Sequence, residues 1–426
     1  MKPPPLVSTP SAAANLPGFL AEQRHRLGEV FTVELPANPP TAYCIGPGAV
    51  RQMFEYERAG RLAVHNTAAV HTLFRRAVFT LRGREHARVR AFLSAGLRHD
   101  AVAAYLPDAA EIAHHHVTRW AQLPTVALYQ VARDYTMEVC LAVILGLPAA
   151  DPAARQVAEL FDRFVAGAEL SPAHESGSEV FAAAVEAAAQ LRELLQACAM
   201  RAAPDAPPSV VAELRAPQRA PVGAVVDHLL ALLIAARETT ASLITWLLVE
   251  CALDDQLAAA LGTDARDLVA DPVQAAHRGA APALRRVLAE STRLHTPNTV
   301  ATRRAMSVVQ LGDYTVPAGW HVAYSAPATH LLPELFAEPE AFRPQRFCGT
   351  EGARSATALL AFGRGAHACA GRGLAEAVTL LLAAVVLAGH RIDLVAGQRP
   401  QIARFQPVRA PAGPVQARIE AVPGER

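Results

Sequence analysis

Cys369 lies in a glycine-rich loop where its sulfur could bind a metal ion. The loop reads Ala-Phe-Gly-Arg-Gly-Ala-His-Ala-Cys-Ala-Gly over residues 361–371, and a helix is predicted directly after it. Glycines on both sides of Arg364 allow a tight turn and a close approach to a flat group. The positive end of the following helix and its free N–H groups favour a thiolate over a thiol. A thiolate held in this way is a suitable axial ligand for iron.

Glu238 and Thr239 stand next to each other in the middle of a long predicted helix, Pro221–Cys251. A threonine in mid-helix can donate to the carbonyl one turn earlier and bend the helix locally, which opens a polar notch. An acid beside an alcohol is the arrangement that proton delivery requires. Taken alone, the pair also fits an ordinary helix with one polar turn.

Several charged side chains occur at spacings that could pair them with carboxylates or with each other. His86 and Arg90 are four residues apart on one predicted helical face, and Glu290 and Arg293 are three apart on another. Arg346 follows in the sequence Pro-Gln-Arg-Phe. Arginine pairs well with carboxylates because its planar fork matches their geometry. Any one of these residues alone would more often be a solvated surface charge.

Taken together and in this order, the motifs resemble those of the cytochrome P450 family. The cysteine loop matches the haem-ligating pattern F-G-x-G-x-H-x-C-x-G, and the matches extend from about residue 15 to residue 420. Two departures are Ala236, where the family often has glycine, and Gln345, where it has glutamate. The resemblance implies a mainly α fold, a helical triangular prism with small β-sheets. It places haem b between the long central helix and the cysteine loop.

The resemblance also assigns roles to individual residues. Cys369 would be the iron ligand, and Glu238 and Thr239 would be catalytic as a proton relay. The implied haem contacts are His86, Arg90, Ala235, Arg303, Phe362, Gly363, Gly365 and His367. Glu290, Arg293 and Arg346 would be structural and hold the cysteine side of the haem together. By position, the substrate would contact Phe74, Ile234, Ala235, Thr299, Val300 and Phe405.

The implied activity is that of a monooxygenase, which inserts one atom of O2 into a small hydrophobic molecule by hydroxylation or epoxidation. Electrons would come ultimately from NAD(P)H through a separate ferredoxin or flavodoxin and its reductase. Two alternatives stay open. One is a P450-fold enzyme of oxidative coupling, dehydration or isomerisation without net oxygenation, and the other is a non-enzymatic haem sensor. The acid–alcohol pair argues against a sensor, which has no need of a proton relay.

Composition narrows the remaining possibilities. The formal net charge is +1, which gives no support to nucleic-acid binding. The six cysteines include no CxxC pair, so a reducing cytoplasm is expected. The N-terminus resembles no signal peptide or membrane anchor, and the most apolar segments fall short of a span. We expect a single catalytic domain over residues 1–426, poorly ordered at 1–15, in a cytoplasmic monomer of bacterial secondary metabolism.

Hydrophobic periodicity predicts most of the secondary structure. The predicted helices are Ala101–Leu123, Thr125–Leu147, Val180–Met200, Pro221–Cys251, Pro282–Thr296 and Gly371–Gly389. The predicted strands are Val30–Leu35, Ala42–Ile45, Val308–Leu311, Tyr314–Val316 and His321–Ser325. The proline-rich stretch Ala202–Val222 is predicted to be a long loop between helices.

Overall fold

The computed structural model describes most of the chain, namely residues 2–8, 15–34, 39–168, 178–202, 208–215, 222–398, 400–404 and 408–422. Alanine- and leucine-rich segments with helical periodicity form most of this structure. The helices are α1 Leu16–Leu27, α2 Pro47–Arg58, α3 Ala68–Phe74, α4 Gly83–Leu93, α5 His99–Trp120, α6 Leu128–Val139, α7 Pro152–Ala168, α8 Glu179–Arg201, α9 Val210–Arg215, α10 Val222–Leu253, α11 Asp255–Ala260, α12 Gly262–Ala270, α13 Pro282–Leu294, α14 Ala326–His330, α15 Gly349–Ala358 and α16 Arg372–Gly389.

The strands are short and lie in small sheets. They are β1 Leu6–Ser8, β2 Val30–Glu34, β3 Thr41–Cys44, β4 Leu62–Val64, β5 Val126–Ala127, β6 Ala301–Ala305, β7 Val309–Leu311, β8 Tyr314–Val316, β9 His321–Tyr324, β10 His390–Leu394, β11 Ile402–Arg404, β12 Ala410–Pro411 and β13 Gln416–Ala421. The largest sheet has the order β1-β2-β3-β9-β6-β4, the next is β10-β13-β5, and β11-β12 and β7-β8 are two-stranded. The mainly helical fold with small sheets is confirmed.

The predicted elements agree with the structure apart from their ends and a few local details. The predicted helix Thr125–Leu147 begins instead with strand β5, and after α6 it continues as a π-helical turn over Cys140–Ile144. The proline-rich stretch 202–222 is not wholly a loop, because it contains the short helix α9. Within residues 1–15, for which poor order was expected, Leu6–Ser8 form β1, which pairs in parallel with β2.

The helix α10 runs through the hydrophobic core and positions the site described below. It packs against α6, α8, α13 and α16, and most of its described side chains are buried. Two helical segments, Val225–Leu253 and Arg372–Gly389, are long and apolar enough to cross a membrane. This corrects the expectation that no segment reaches that length. Their most apolar windows are 72% and 61% buried inside the protein, as expected for core helices.

Candidate active site

A cavity of about 860 Å³ lies between α10 and the cysteine loop. On the α10 side it is lined by Ala235, Ala236 and Thr239, and on the opposite side by Phe362 and Cys369. Arg90 and Arg303 also line it. The cavity volume lies in the usual range for a cofactor or small-molecule site. Residues far apart in the sequence are therefore brought around one enclosed space.

The cysteine loop turns tightly and presents the thiol of Cys369 to this cavity. Gly363 and Gly365 adopt φ angles of 65° and 72°, which favour glycine over other residues. The amide of Cys369 donates to the carbonyl of Phe362 over 2.8 Å and closes the turn. The helix α16 starts at Arg372, three residues beyond the thiol.

Burial raises the pKa of the Cys369 thiol above its ordinary value, although the amide of Gly371 and the charges of Arg90 and Arg372 act in the opposite direction. The Gly371 amide near the start of α16 favours the thiolate, as expected of this helix end, but desolvation outweighs it. The sulfur is open to the cavity but enclosed by the protein. A metal ion bound to the sulfur would supply the charge that this site lacks for a thiolate.

The acid and the alcohol on α10 point to different partners. The hydroxyl of Thr239 lies at the cavity and donates to the carbonyl of Ala235 over 2.6 Å. The side chain of Glu238 is only 4% exposed and turns toward α6. There it accepts from the hydroxyl of Tyr129 at 3.1 Å and from Nε of Arg133 at 3.2 Å. Among the described residues no hydrogen bond joins Glu238 to Thr239.

The Glu238 carboxylate belongs to a charged cluster that reaches the protein surface. Arg237, the preceding residue, is buried and lies 3.4 Å from Glu238 and 2.7 Å from Asp162. Asp162 is on α7, and its side chain is 59% exposed. Successive residues on a helix point in different directions. Arg237 therefore pairs with Asp162 of α7, whereas Glu238 contacts Tyr129 and Arg133 of α6. The cluster connects the cavity wall with solvent.

The basic residues at the other edge of the cavity have an acidic partner that the motifs did not reveal. Oε1 of Glu57, on α2, accepts a hydrogen bond from Nε of Arg303 at 2.5 Å. The same oxygen lies 2.6 Å from Nδ1 of His367. Burial alone would raise the pKa of Glu57, but the hydrogen bond from His367 and the charge of Arg303 outweigh it and lower the pKa. Arg90 donates to the carbonyl of Ala368 in the cysteine loop.

His86 does not line the cavity. Its ring stacks on that of His367, with centroids 3.9 Å apart. Burial, together with the neighbouring His367 and Arg90, lowers the pKa of His86 to about 4. The structure thus places His86 behind His367 as a neutral ring, whereas Arg90, Arg303 and His367 face the cavity.

Glu290, Arg293 and Arg346 meet in a fully buried ion-pair cluster. Arg293 forks onto both oxygens of Glu290 at 2.8 and 2.9 Å, and Nε of Arg346 lies 2.9 Å from Glu290. The two arginines also donate to backbone carbonyls of the segment 330–341. None of the three lines the cavity. They bind the long connection that leads from α14 toward the cysteine loop.

The predicted substrate contacts divide into three groups. Phe74, Ile234, Ala235 and Val300 line the cavity. Thr299 is buried and does not line it. Phe405 lies outside the described residues. The structure therefore brings four of these residues to the same space.

Residues 64–210 supply an apolar wall that the sequence motifs do not mark. This wall is formed by Val64, Asn66, Val70, Phe74, Val78, Phe79, Leu97, Thr136, Val139, Cys140, Val143, Ile144, Ala168 and Val210. Its one amide, Asn66, donates to the carbonyl of Phe79 at 2.9 Å. Apart from Arg90 at the basic edge, no charged side chain from this part of the described chain lines the cavity.

The residues around the cavity fit a haem. The basic edge offers two arginines and a histidine for two carboxylates, and Nε2 of His367 is buried without a protein partner. Cys369 would supply one sulfur ligand to the iron. Among the described residues no group of three or more His, Cys, Asp or Glu side chains could hold a metal ion by itself. A single thiolate therefore fits a metal ion that a cofactor already coordinates, as the porphyrin of haem does.

Comparisons with known proteins point to one family. A model of the family "Cytochrome P450" matches residues 222–415. "Abscisic acid 8'-hydroxylase 2" of Oryza sativa subsp. indica is 22% identical over 94% of this chain and 81% of its own length. "Cyclooctat-9-en-7-ol 5-monooxygenase" of Streptomyces melanosporofaciens is 32% identical over 41% of this chain, and the match spans 39% of that relative.

The fold itself is also similar to a solved structure. "Retinoic acid bound cyanobacterial CYP120A1" superposes with a TM-score of 0.85 over 99% of this chain and 100% of that one, at 21% identity. At this identity the likeness establishes the arrangement of helices and sheets and says nothing about the substrate.

Proposed function

Since the chain belongs to the cytochrome P450 family and is a monooxygenase of that family, we propose that it hydroxylates or epoxidises a neutral, hydrophobic small molecule. The observation that carries this proposal is the position of Cys369, which lines the same cavity as Ala235 and Thr239 of α10. Haem b, when bound through that sulfur, supplies the oxygen-activating chemistry. The protein supplies the binding site, the substrate wall and a route for protons.

The proposed haem site uses residues of this chain at both ends. Cys369 would bind the iron, while Arg90, Arg303 and His367 would bind the carboxylates. Phe362 would lie against the ring with Gly363 and Gly365 giving the loop its close approach. His86 would support His367 from behind. Glu290, Arg293 and Arg346 would hold the loop's approach segment and take no part in the reaction.

Thr239 and Glu238 have separate proposed roles in proton movement. The Thr239 hydroxyl can pass a proton at the cavity, because it is both a donor and an acceptor. Glu238 also lines the cavity and is tied to Arg133 and, through Arg237, to the exposed Asp162. Protons would enter by this charged cluster and leave at the Thr239 hydroxyl.

The apolar wall of residues 64–210 supports a neutral, hydrophobic substrate such as a terpenoid, polyketide, steroid or fatty acyl compound. A buried charge without a partner is costly, and this wall offers a charged substrate no partner beyond the basic edge. We further propose a cytoplasmic monomer of bacterial secondary metabolism. Electrons would come from NAD(P)H through a separate reductase and ferredoxin or flavodoxin.

The proposed electron donor would approach the cysteine side of the protein. Arg364 and Arg372 are exposed there, and Arg372 also lies 4.9 Å from the centre of the Phe362 ring. Replacing Arg364 with glutamate should slow reduction by an acidic ferredoxin and should leave reduction by dithionite unchanged. An unchanged ferredoxin rate would reject this face as the docking site.

The absorption spectrum of the reduced protein with carbon monoxide tests the central proposal. A strongly red-shifted Soret band that disappears in Cys369→Ala would support thiolate ligation. A band at the position typical of histidine ligation, or no bound haem, would reject it. Incorporation of ¹⁸O2 into the product then separates oxygenation from coupling, dehydration or isomerisation.

A further inference from the structure

We propose that Glu57 is a positioning residue that aligns Arg303 and His367 for a haem carboxylate and adds a fixed negative charge beside the cofactor. This inference rests on the proposed haem-thiolate function. Glu57 lies in α2, 310 residues from His367 in the sequence, and belongs to none of the motifs that indicated the haem site.

The placement of Glu57 shows that it acts through its neighbours. Arg303 and His367 line the cavity, whereas Glu57 does not. One oxygen of Glu57 contacts both of them, at 2.5 Å to Nε of Arg303 and 2.6 Å to Nδ1 of His367. A carboxylate only accepts hydrogen bonds, so it fixes which nitrogen of each side chain is turned away from the cavity. The opposite nitrogen of His367, Nε2, stays buried without a partner.

The cysteine loop is built to pass close to this carboxylate. A Cβ placed on Gly365 would lie 3.6 Å from Oε2 of Glu57 and 3.5 Å from the ring of Phe54. Oε2 itself is buried and has no partner among the described residues. Glu57 therefore contacts the loop on one side and Arg303 of β6 on the other, and fixes the distance between them.

The charge of Glu57 has a consequence that a purely structural contact would lack. Arg90 and Arg303 supply two positive charges at this edge of the cavity, and Glu57 cancels one of them. Two haem carboxylates would then bring the edge to an excess of negative charge. Negative charge near the iron favours its oxidised form, because electrostatic interactions are strong in a poorly solvated site. Glu57 is therefore expected to lower the reduction potential.

Three variants test this role. Glu57→Gln removes the charge, Glu57→Asp keeps the charge but shortens the reach, and Glu55→Gln makes the same charge change at an exposed position of the same helix. The measurements on the full-length holoprotein are the rate of haem transfer to excess apomyoglobin and the reduction potential.

We expect Glu57→Gln to speed haem loss about tenfold and to shift the ferric–ferrous equilibrium about threefold toward ferrous, roughly 30 mV by the one-electron constant. Glu57→Asp should speed haem loss and leave the potential close to that of the parent protein. Glu55→Gln should change neither quantity.

The proposal is overturned if Glu57→Gln and Glu55→Gln behave alike in both measurements, or if Glu57→Asp shifts the potential as much as Glu57→Gln does. Failure of the proposed function has a different signature. The parent protein would then lack the red-shifted carbon monoxide band, whatever residue stands at position 57.

Discussion

The hydroxyl of Thr239 is bonded to the carbonyl of Ala235, 2.6 Å away and one turn earlier on α10. The same type of bond, at 2.7 Å, joins Thr245 to Ala241 two turns further along the helix. Thr245 is fully buried in the core, whereas Thr239 lies at the cavity. The helix thus holds one hydroxyl at the cavity and one in the core in the same local geometry.

Thr239→Ala is expected to reduce the product formed per NAD(P)H roughly tenfold, because the cavity loses a group that can pass a proton. The electrons lost from product should appear as hydrogen peroxide. Both are measured by following NAD(P)H, product and peroxide in one reaction. Thr245→Ala is the matched control, since it removes the same helix bond away from the cavity. Equal yields from the two variants would argue against a role for the Thr239 hydroxyl.

Arg346→Ala is expected to destabilise the protein by about 3–5 kcal/mol, since it leaves Glu290 buried with one charged partner fewer. The urea midpoint of the holoprotein measures this change. Arg343→Ala is the control in the same segment. Its side chain pairs with Glu338 at the surface, where an ion pair contributes about 0–1 kcal/mol. Similar midpoints for both variants would contradict the importance of burial.

Gly363→Ala is expected to lower the thermal midpoint more than Gly365→Ala. Both positions have a positive φ, which disfavours alanine. At Gly363 a Cβ would also lie 3.1 Å from the Tyr324 hydroxyl, whereas the nearest atom at Gly365 is 3.5 Å away. Adding Tyr324→Phe should recover part of the loss at Gly363 and none at Gly365. No recovery at either position would show that backbone strain alone sets the cost.

The stability of the protein is expected to fall as the pH decreases from about 6.5, in part because of His330. This residue is fully buried and bonded to the carbonyl of Arg293 and the amide of Leu360, and desolvation lowers its pKa to about 3. Below pH 6.5 this histidine binds a proton in the unfolded chain but stays unprotonated in the folded protein until about pH 3. The contribution of His330 is therefore complete above pH 6.5 and decreases down to about pH 3.

Urea midpoints of the parent protein and of His330→Gln between pH 5 and 7.5 check this expectation. The other histidines titrate in both proteins and cancel in the comparison. The free energy of unfolding of the variant should depend less steeply on pH, by up to about 1.4 kcal/mol per pH unit. Parallel pH profiles would rule out His330 as the source of the slope.

The sequence predicted the cysteine loop and the long helix well because their signals are local. Spacing within a few residues determines a tight turn, a helical face or a mid-helix hydroxyl. The orientation of Glu238 could not be predicted in this way, because its partners Tyr129 and Arg133 lie more than a hundred residues away. The same applies to Thr299, which lies beside cavity-lining residues yet does not itself line the cavity.

Glu57 was missed although the sequence contains a sign of it. On α2 the buried positions are Ala49, Val50, Met53 and Glu57, which follow a helical spacing. An acid on the apolar face of an amphipathic helix is costly unless it has a partner, so it indicates a buried ion pair. The sequence cannot name that partner, because Arg303 of β6 and His367 of the cysteine loop approach Glu57 only in the folded protein.

The apolar wall and the haem-facing residues come largely from different stretches of the chain. Residues 64–210 form the wall, while the cysteine loop and α10 lie within residues 222–415, which the family model matches. The wall therefore lies outside the residues that the family model matches, although three of the predicted substrate contacts, Ile234, Ala235 and Val300, lie within them. Changes at Val143 or Ile144, for example, are expected to alter which molecules fit in the cavity and to leave Cys369 and Thr239 in place. This separation gives protein engineers a natural place to alter selectivity by exchanging one stretch of sequence.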